Sequence, residues 1–302
     1  MRNITPFRIY SKIRSTIDQK IFRRHPVSYP YITGDTFRAI AHHVYDYDIQ
    51  LSPELVNDGD LVFVRTWLVP SFFKYYNPLI KHPYILLTLN ADPVIDESYI
   101  QYLDKKIIHW FAQNPLKLDP RITPIPLGIA NKSFHRTGIV FLFKIFSRFA
   151  KVKNRILYGF SVQTNPKART HALKILKEIP VADEIQGFPE PLTYFPLLAK
   201  YKFVASPPGN CPDTHRGWEA LYLKTIPIAP RWYFLEYFVE QGLPIWIIDD
   251  WSELEKYTEE DLANKYDEMM KNAKWDALWF DYWKEKIFAV RDAYLIKQEK
   301  DK

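Results

Sequence analysis

The sequence predicts an α/β protein of two domains, each built on a buried parallel sheet. Three observations carry this reading. Short, nearly continuous apolar runs recur along the chain, the pattern of strands covered on both faces. Turns and helix-like stretches alternate with them, as in successive βα units. One apolar and basic segment, residues 138–153, divides the series into two blocks. The expected organisation is an N-terminal domain over residues 1–137, a linker over 138–153, and a C-terminal domain over 154–302 that ends in a helical tail.

In chain order, Val27–Ile32 reads as a strand, and Thr33 and Gly34 turn into a helix over Phe37–Tyr45. Asp35 or Thr36 is placed to cap that helix. Leu61–Val64, Tyr84–Leu89 and Lys106–Phe111 continue as strands. Ile122–Leu127 contains prolines, so it is an edge strand or an extended connection. Beyond the linker, Arg155–Phe160 is a strand. Pro166–Glu178 is a helix that opens on proline, with Leu173, Ile175 and Leu176 supplying part of its apolar face. Lys202–Ala205, Thr225–Ala229 and Pro244–Ile248 read as strands, Asp213–Leu223 as a helix, and 259–302 as a helical tail. Trp275, Trp279, Tyr282 and Trp283 form an aromatic stripe there, read as packing rather than as a carbohydrate surface. Parallel sheets bind ligands beyond the carboxyl ends of their strands, so a cleft between the two domains is the expected active site.

Composition narrows the class. The 302 residues are 47% hydrophobic and 25% charged, which excludes a disordered or collagenous chain. A net charge of +6 suits an anionic ligand without requiring one. The one cysteine, Cys211, excludes an internal disulfide framework and a Cys-cluster zinc site. No apolar run has signal-peptide or membrane-spanning length, so a soluble cytoplasmic protein is expected, its basic start a solvated tail. No basic–aromatic pattern of an RNA reader is present, which argues against a nucleic-acid partner. Residues 138–153 admit two readings. They form a buried connector, or an interfacial patch in which Phe and Ile side chains meet the headgroup boundary beside Lys144, Arg148, Lys151 and Lys153. The second would give peripheral membrane contact.

The most informative stretch runs from Phe203 to Ile228: strand, Pro/Gly loop, helix, strand. Gly209 and Asn210 permit backbone geometry that bulkier residues resist. The helix N-terminus behind the loop offers free N–H groups to an anion, and His215 and Arg216 add donors. Glu219 follows Arg216 by three residues and His215 by four, on one helical face. It could accept from ribose hydroxyls, or be half of a surface pair with Arg216. Asp46–Asp48 and Asp58–Asp60 each fit an Asp-x-Asp metal pattern, but the pattern arises often by chance and the second reads as a turn. Adjacent His42 and His43 point in different directions on a helix and make a poor metal site. No Gly-x-Gly-x-x-Gly or Walker loop is present.

This stretch resembles the C-terminal signature of the exostosin-like glycosyltransferases, on Ser206, Pro207, Gly209, Asp213, Arg216, Glu219, Ala220, Ile226, Pro227 and Ile228. It departs at Lys224, where a small residue is usual. Asn210 to Asp213 is also similar to the donor signature of the α1,3-fucosyltransferases, although the Thr-Glu-Lys element that usually follows is absent. Upstream, Tyr31–Arg38, Thr88–Asp92, and Trp110–Asn114 with Pro124–Gly128 are similar to the acceptor-side half of exostosin-like enzymes. Tyr158–Arg169 resembles their first donor-domain strand and loop.

The resemblance implies a GT-B-like fold, two Rossmann-like α/β domains facing a central cleft with C-terminal helices. It implies an inverting glycosyltransferase that takes a nucleotide sugar and a glycan or glycolipid acceptor. No metal or other cofactor is implied; basic side chains and helix N-termini neutralise the departing diphosphate. Arg169, Arg216 and the Gly209–Asn210 loop become candidates for the donor phosphates, with Ser206 and His215 beside them and Glu219 for a hydroxyl. Asp92 or Asp35 would be the general base, Asp92 preferred, while Asp35 could equally be a helix cap. Arg38 and Asn114 fall on the acceptor side; a surface role serves Arg38 as well. A GDP-fucose-dependent transferase, and a non-catalytic sugar- or nucleotide-binding protein, remain the alternatives.

Overall fold

The computed structural model describes residues 6–17, 25–134, 138–187 and 189–301. Arg2, Lys20, Arg23 and Arg24 of the basic start, and residue 137 where the first domain is expected to end, lie outside the described residues. Helix α1 (Pro6–Thr16) and a single turn, α2 (Gly34–Arg38), precede five strands: β1 (His43–Tyr45), β2 (Asp60–Arg65), β3 (Tyr84–Leu89), β4 (Ile107–Ala112) and β5 (Ile122–Pro124). Helix α3 (Val69–Tyr75) connects β2 and β3. After α4 (Phe141–Phe146) come β6 (Lys153–Tyr158), α5 (Pro166–Glu178), β7 (Ala182–Glu184), α6 (Pro191–Lys200), β8 (Tyr201–Ala205), α7 (His215–Tyr222), β9 (Ile226–Pro230), α8 (Tyr233–Glu240) and β10 (Trp246–Ile248). Helices α9 (Glu259–Asn272) and α10 (Phe280–Lys300) close the chain. The strands form two five-stranded sheets, ordered β1-β2-β3-β4-β5 and β10-β9-β8-β6-β7, with parallel pairing throughout. Two parallel sheets with a cleft between them and helices at the C-terminus are the expected α/β arrangement.

Strand periodicity divides the core. Val62, Val64, Tyr84, Leu86 and Trp110 point to one face of the first sheet and pack against Val69 and Phe72 of α3. Their neighbours Leu61, Phe63, Ile85, Leu87 and Phe111 point to the other. A sheet in strictly sequential order with right-handed crossovers has its connections on one face only, so the second face needs a separate cover. Helix α10 supplies it: Phe280, Trp283 and Ile287 join that cluster, and Phe280 meets Phe37 of α2 at 5.2 Å between ring centroids. The same cluster runs on into Leu157, Val204 and Ala229 of the second sheet. The far face of that sheet, with Ile156, Phe203, Ile226 and Trp246, is covered by α5 and α9.

Several elements differ from the sequence reading. Val27–Ile32 is not a strand: Pro26 and Pro30 lack an N–H, and the Ile32 N–H is taken by the Tyr222 hydroxyl at 2.9 Å. The helix expected over Phe37–Tyr45 is replaced by α2, which stops at Arg38, and His43–Tyr45 becomes β1. Neither Asp35 nor Thr36 caps α2; Thr33 does, accepting from the Thr36 N–H. The tail is two helices rather than one stretch, with Trp275 and Trp279 between them. Trp283 is fully buried and Trp279 packs on Tyr31 and Tyr222, so these aromatics do pack. Within 138–153, Leu142 and Phe143 of α4 are buried, with the Phe143 ring tilted against Phe195 of α6 at 4.8 Å between centroids, while Phe141, Lys144, Ile145, Arg148 and Phe149 are exposed.

The buried Tyr222 hydroxyl accepts from Ile32 N–H and donates to the Leu278 carbonyl at 2.7 Å, so it joins α7 to both ends of the chain. Tyr222→Phe strands both partners and should destabilise by ~1–3 kcal/mol. A Tm lowered by several degrees in a thermal melt is the expected result, and an unchanged Tm contradicts it.

Candidate active site

In the second sheet the chain steps from β6 to β7 on one side and then returns to β8 on the other. The crevice beyond the carboxyl ends of β6 and β8 is therefore a topological switch point, where open parallel sheets place ligands. A cleft of about 930 Å³ opens there. Thr164, Arg169, Ser206, Pro207, Gly209 and Asn210 line one wall. His25, Asp35, Asp48, Arg65, Asn90 and Asp92 line the opposite wall, mostly from loops after strands of the first sheet.

The wall of the second sheet is held by backbone carbonyls. Arg169 donates from Nε to Pro208 O at 2.8 Å and from Nη1 to Ser161 O at 3.0 Å. Burial and the charge of Arg216 lower its pKa to about 10, which leaves it charged at neutral pH. A Cβ on Gly209 would come within 3.0 Å of Arg169 Nη2, so the glycine lets guanidinium and loop sit together. Neither Arg169 nor Arg216 has a carboxylate within ion-pair distance among the described residues. Thr214 caps α7 by accepting from the Gly217 N–H, and its hydroxyl lies 2.6 Å from Ser206 Oγ. His215 donates from Nδ1 to Gly128 O at 2.8 Å. It faces the cleft, and desolvation of the ring lowers its pKa below the usual 6.5 against the hydrogen bond to Gly128 and the charge of Asp92. Gly128 makes that bond possible: its φ is +70°, and a Cβ would lie 2.1 Å from Ile32 O.

The opposite wall contains a network that spacing could not reveal. His25 donates from Nδ1 to Asp35 Oδ1 and from Nε2 to Asp48 Oδ2, each at 3.2 Å. Asn90 Nδ2 donates to the same Asp35 oxygen, Asn131 Nδ2 donates to Asn90 Oδ1, and the Asp35 N–H donates to Asn131 Oδ1. A Cβ on Gly34 would collide with Asn90 Oδ1 at 1.8 Å, so glycine permits this contact. The bond to Asp35 raises the His25 pKa above 6.5, against the opposing effect of burial. Asp92 stands apart. It faces the cleft with no hydrogen bond or ion pair among the described residues, and its charge acts on His215 and Cys211 across the gap.

Of the residues singled out from sequence, Asp35, Asp92, Arg169, Ser206, Gly209, Asn210, His215 and Arg216 line this one cleft. Three do not. Glu219 is buried behind Arg216, and burial raises its pKa to about 7 against the pull of that guanidinium. Arg38 is buried and pairs with Asp46 at 3.4 Å. Asn114 is buried and accepts the Asp213 N–H on Oδ1 at 3.3 Å. The carboxylates of both Asp-x-Asp patterns are engaged: Asp46 with Arg65, Asp48 with His25, Asp58 with His82, Asp60 with His43. His25, Tyr47, Arg65, Trp67, Asn90, Asn131 and Phe134 line the cleft and were not legible from motif spacing. The left-handed φ of Asn90, +60° just after β3, is the one local sign.

No family model matches the chain, and no curated protein is similar to it. Chains of solved structures align with it, and two of them show the extent of the likeness. One is the GtfA/B complex, at 11% identity over 78% of this chain and 58% of that one, with a TM-score of 0.41. The other is the pneumococcal O-GlcNAc transferase GtfA bound to UDP and GlcNAc, at 12% identity over 78% and 57%, with a TM-score of 0.37. The chain spans less than two thirds of the length of either.

The two histidines should titrate apart. In NMR titrations assigned by substitution, the His25 midpoint falls above 6.5 and the His215 midpoint below it. A raised folded-state pKa means that His25 adds stability that is full below pH 6.5 and is lost as pH rises through its folded value. His25→Gln should remove this part of the stability–pH profile; an identical profile for variant and wild type contradicts the pairing.

Proposed function

We propose that the protein is a glycosyltransferase that moves a sugar from a nucleotide-sugar donor to a glycan or glycolipid acceptor, with inversion and without a metal. One observation carries the reading. Arg169 and Arg216, two guanidiniums with no carboxylate at ion-pair distance among the described residues, flank a helix N-terminus at the switch point of a parallel sheet. Such a concentration of positive charge is costly unless an anion answers it. A nucleoside diphosphate has the charge and the length to do so. The exostosin-like signature falls on this same loop and helix.

In this reading, Asp92 takes the proton of an acceptor hydroxyl. The new oxygen–carbon bond forms at the anomeric carbon as the bond to phosphate breaks, and the electron pair leaves with the nucleoside diphosphate. Arg169, Arg216 and the first N–H groups of α7 stabilise the charge that grows on that leaving group. Asp35 is the weaker candidate for the base, since His25 and Asn90 already bond its carboxylate. A GDP-fucose donor, or binding without transfer, separates from this reading in one experiment.

That experiment combines calorimetry with UDP and GDP, and turnover across a nucleotide-sugar panel in EDTA. Arg216→Ala should weaken diphosphate binding about tenfold or more, the loss of a charge-assisted bond. Asp92→Asn should keep that affinity while turnover falls ~10²-fold. Diphosphate affinity unchanged by Arg216→Ala overturns the donor assignment. Affinity without turnover from any donor selects the binding protein, and turnover lost in EDTA but restored by Mn²⁺ overturns the metal-free mechanism.

A peripheral membrane contact is proposed for the outer face of α4 and the residues after it. Phe141, Ile145 and Phe149 are exposed there beside Lys144 and Arg148, a charge pattern complementary to anionic lipid. The protein should float with phosphatidylserine vesicles at low salt, and Phe141→Ser with Ile145→Ser should abolish this. A wild type that stays at the bottom of the gradient removes the proposal.

A further inference from the structure

The first-sheet side of the cleft holds three large aromatic side chains in an exposed position. Tyr47 is 68% exposed, Trp67 57% and Phe134 46%, and all three line the cleft. Most tryptophans of the chain are covered by contrast. Trp110, Trp218, Trp246, Trp251 and Trp283 are all buried, and Trp67 is the most exposed of the nine tryptophans. Exposed aromatics gathered at a concave site mark a surface that gains by being covered.

Tyr47 and its neighbour Arg65 are held by a common set of contacts. Arg65 lies over the Tyr47 ring at 4.7 Å, and Arg65 is itself held by the buried Asp46 carboxylate and by Asn90 O at 2.8 Å. The Tyr47 N–H donates to Asp46 Oδ1 at 2.7 Å. Trp67 follows β2 directly, two residues after Arg65, so the sheet positions both. Polar groups surround the aromatics, with Asp48, Arg65 and Asn90 on one side and Asp92 facing the donor wall.

We infer that this surface is the acceptor subsite and that it takes a pyranose ring. A pyranose has an apolar C–H face and a rim of hydroxyls. It matches an aromatic platform edged by carboxylate, amide and guanidinium groups. A lipid tail would meet too many charges here. A nucleobase would belong on the donor wall, where the phosphate-binding groups lie. Trp67 is then a specificity-determining residue, whose indole sets the affinity for the acceptor sugar and not for the donor. The inference rests on the transferase reading for its chemistry, but binding tests it independently of transfer.

The test uses saturation-transfer NMR with four disaccharides: cellobiose, lactose, N,N′-diacetylchitobiose and α-1,2-mannobiose. Calorimetry with UDP and GDP runs on the same samples. Wild type should show saturable contact with at least one disaccharide. Trp67→Ala should weaken it about tenfold, Trp67→Phe should restore most of it, and neither should change diphosphate affinity. No saturable contact with any of the four, or contact that Trp67→Ala leaves intact, overturns the acceptor subsite while the transferase reading stands on its diphosphate affinity. Diphosphate affinity lost in Trp67→Ala also overturns it, because the indole then stacks on a nucleobase. Disaccharide contact that depends on Trp67, with no diphosphate binding in wild type, keeps the platform and removes the transferase reading.

Discussion

The cleft depends on one buried carboxylate. Asp213 ends the loop that follows β8, and its side chain accepts from the Leu127 N–H at 2.9 Å and from Trp218 Nε1 at 2.8 Å. One bond reaches the chain after β5 of the first sheet, and the other reaches α7 of the second half. The Asp213 N–H in turn donates to Asn114, beyond β4. This residue clamps the loop after β8 against the first half at the floor of the cleft. Burial raises its pKa to about 7 even though the Leu127 N–H and Trp218 oppose the shift. Its two side-chain bonds fix the loop against both of its neighbours. His215 to Gly128 O and Tyr222 to Ile32 N–H repeat the connection further along α7, so Asp213, His215 and Tyr222 together tie the two halves.

With the walls fixed, strand order decides what each can do. The second sheet reverses direction between β6 and β8 and so opens a crevice for a ligand. The first sheet has no reversal. Its strands run in order from edge to edge, and the loops after β1, β2 and β3 form a broad wall rather than a pocket. The narrow, cationic side suits a compact anion, and the broad, aromatic and acidic side suits a larger neutral surface. Helix α10 makes this arrangement stable, because the face of the first sheet that its own connections leave bare is filled by Phe280, Trp283 and Ile287.

What the sequence made legible was whatever local chemistry encodes. Leu61–Val64 and Tyr84–Leu89 announce themselves because both faces are buried and only Thr88 breaks the apolar runs. Pro166 and Asn165 mark the start of α5, where the Asn165 side chain accepts from the Ala168 N–H. The loop after β8 was found for the same reason: Pro, Gly and Asn permit its shape. Other elements were hidden by local conflict. Pro196 sits inside α6 and breaks a helical pattern that tertiary packing restores. β1 is a three-residue edge strand held by pairing with β2 and too short to show a period. The Asp35 network joins His25, Asn90 and Asn131, residues up to 96 positions apart for the Asp35–Asn131 bond, and no spacing rule relates them. Helical spacing correctly put Arg216 and Glu219 close together. It could not say which of them faces solvent, because that depends on α6 and its buried Tyr194 on the other side of α7.

That last uncertainty has an electrostatic consequence. An ionised Glu219 would answer the charge of Arg216 from behind and weaken its pull on anything in the cleft. Burial works against this by raising the Glu219 pKa to about 7, while Arg216 pulls it back down. The carboxyl group therefore sits where a modest change in local potential decides its protonation. A diphosphate bound by Arg216 and Arg169 would place negative charge nearby and raise the Glu219 pKa further. The proton would then stay on Glu219 and leave both guanidiniums to the ligand. Departure of the diphosphate would let Glu219 ionise and quiet the charge that remains. The same carboxyl group would answer Arg216 when ionised and would leave both guanidiniums to a bound anion when protonated.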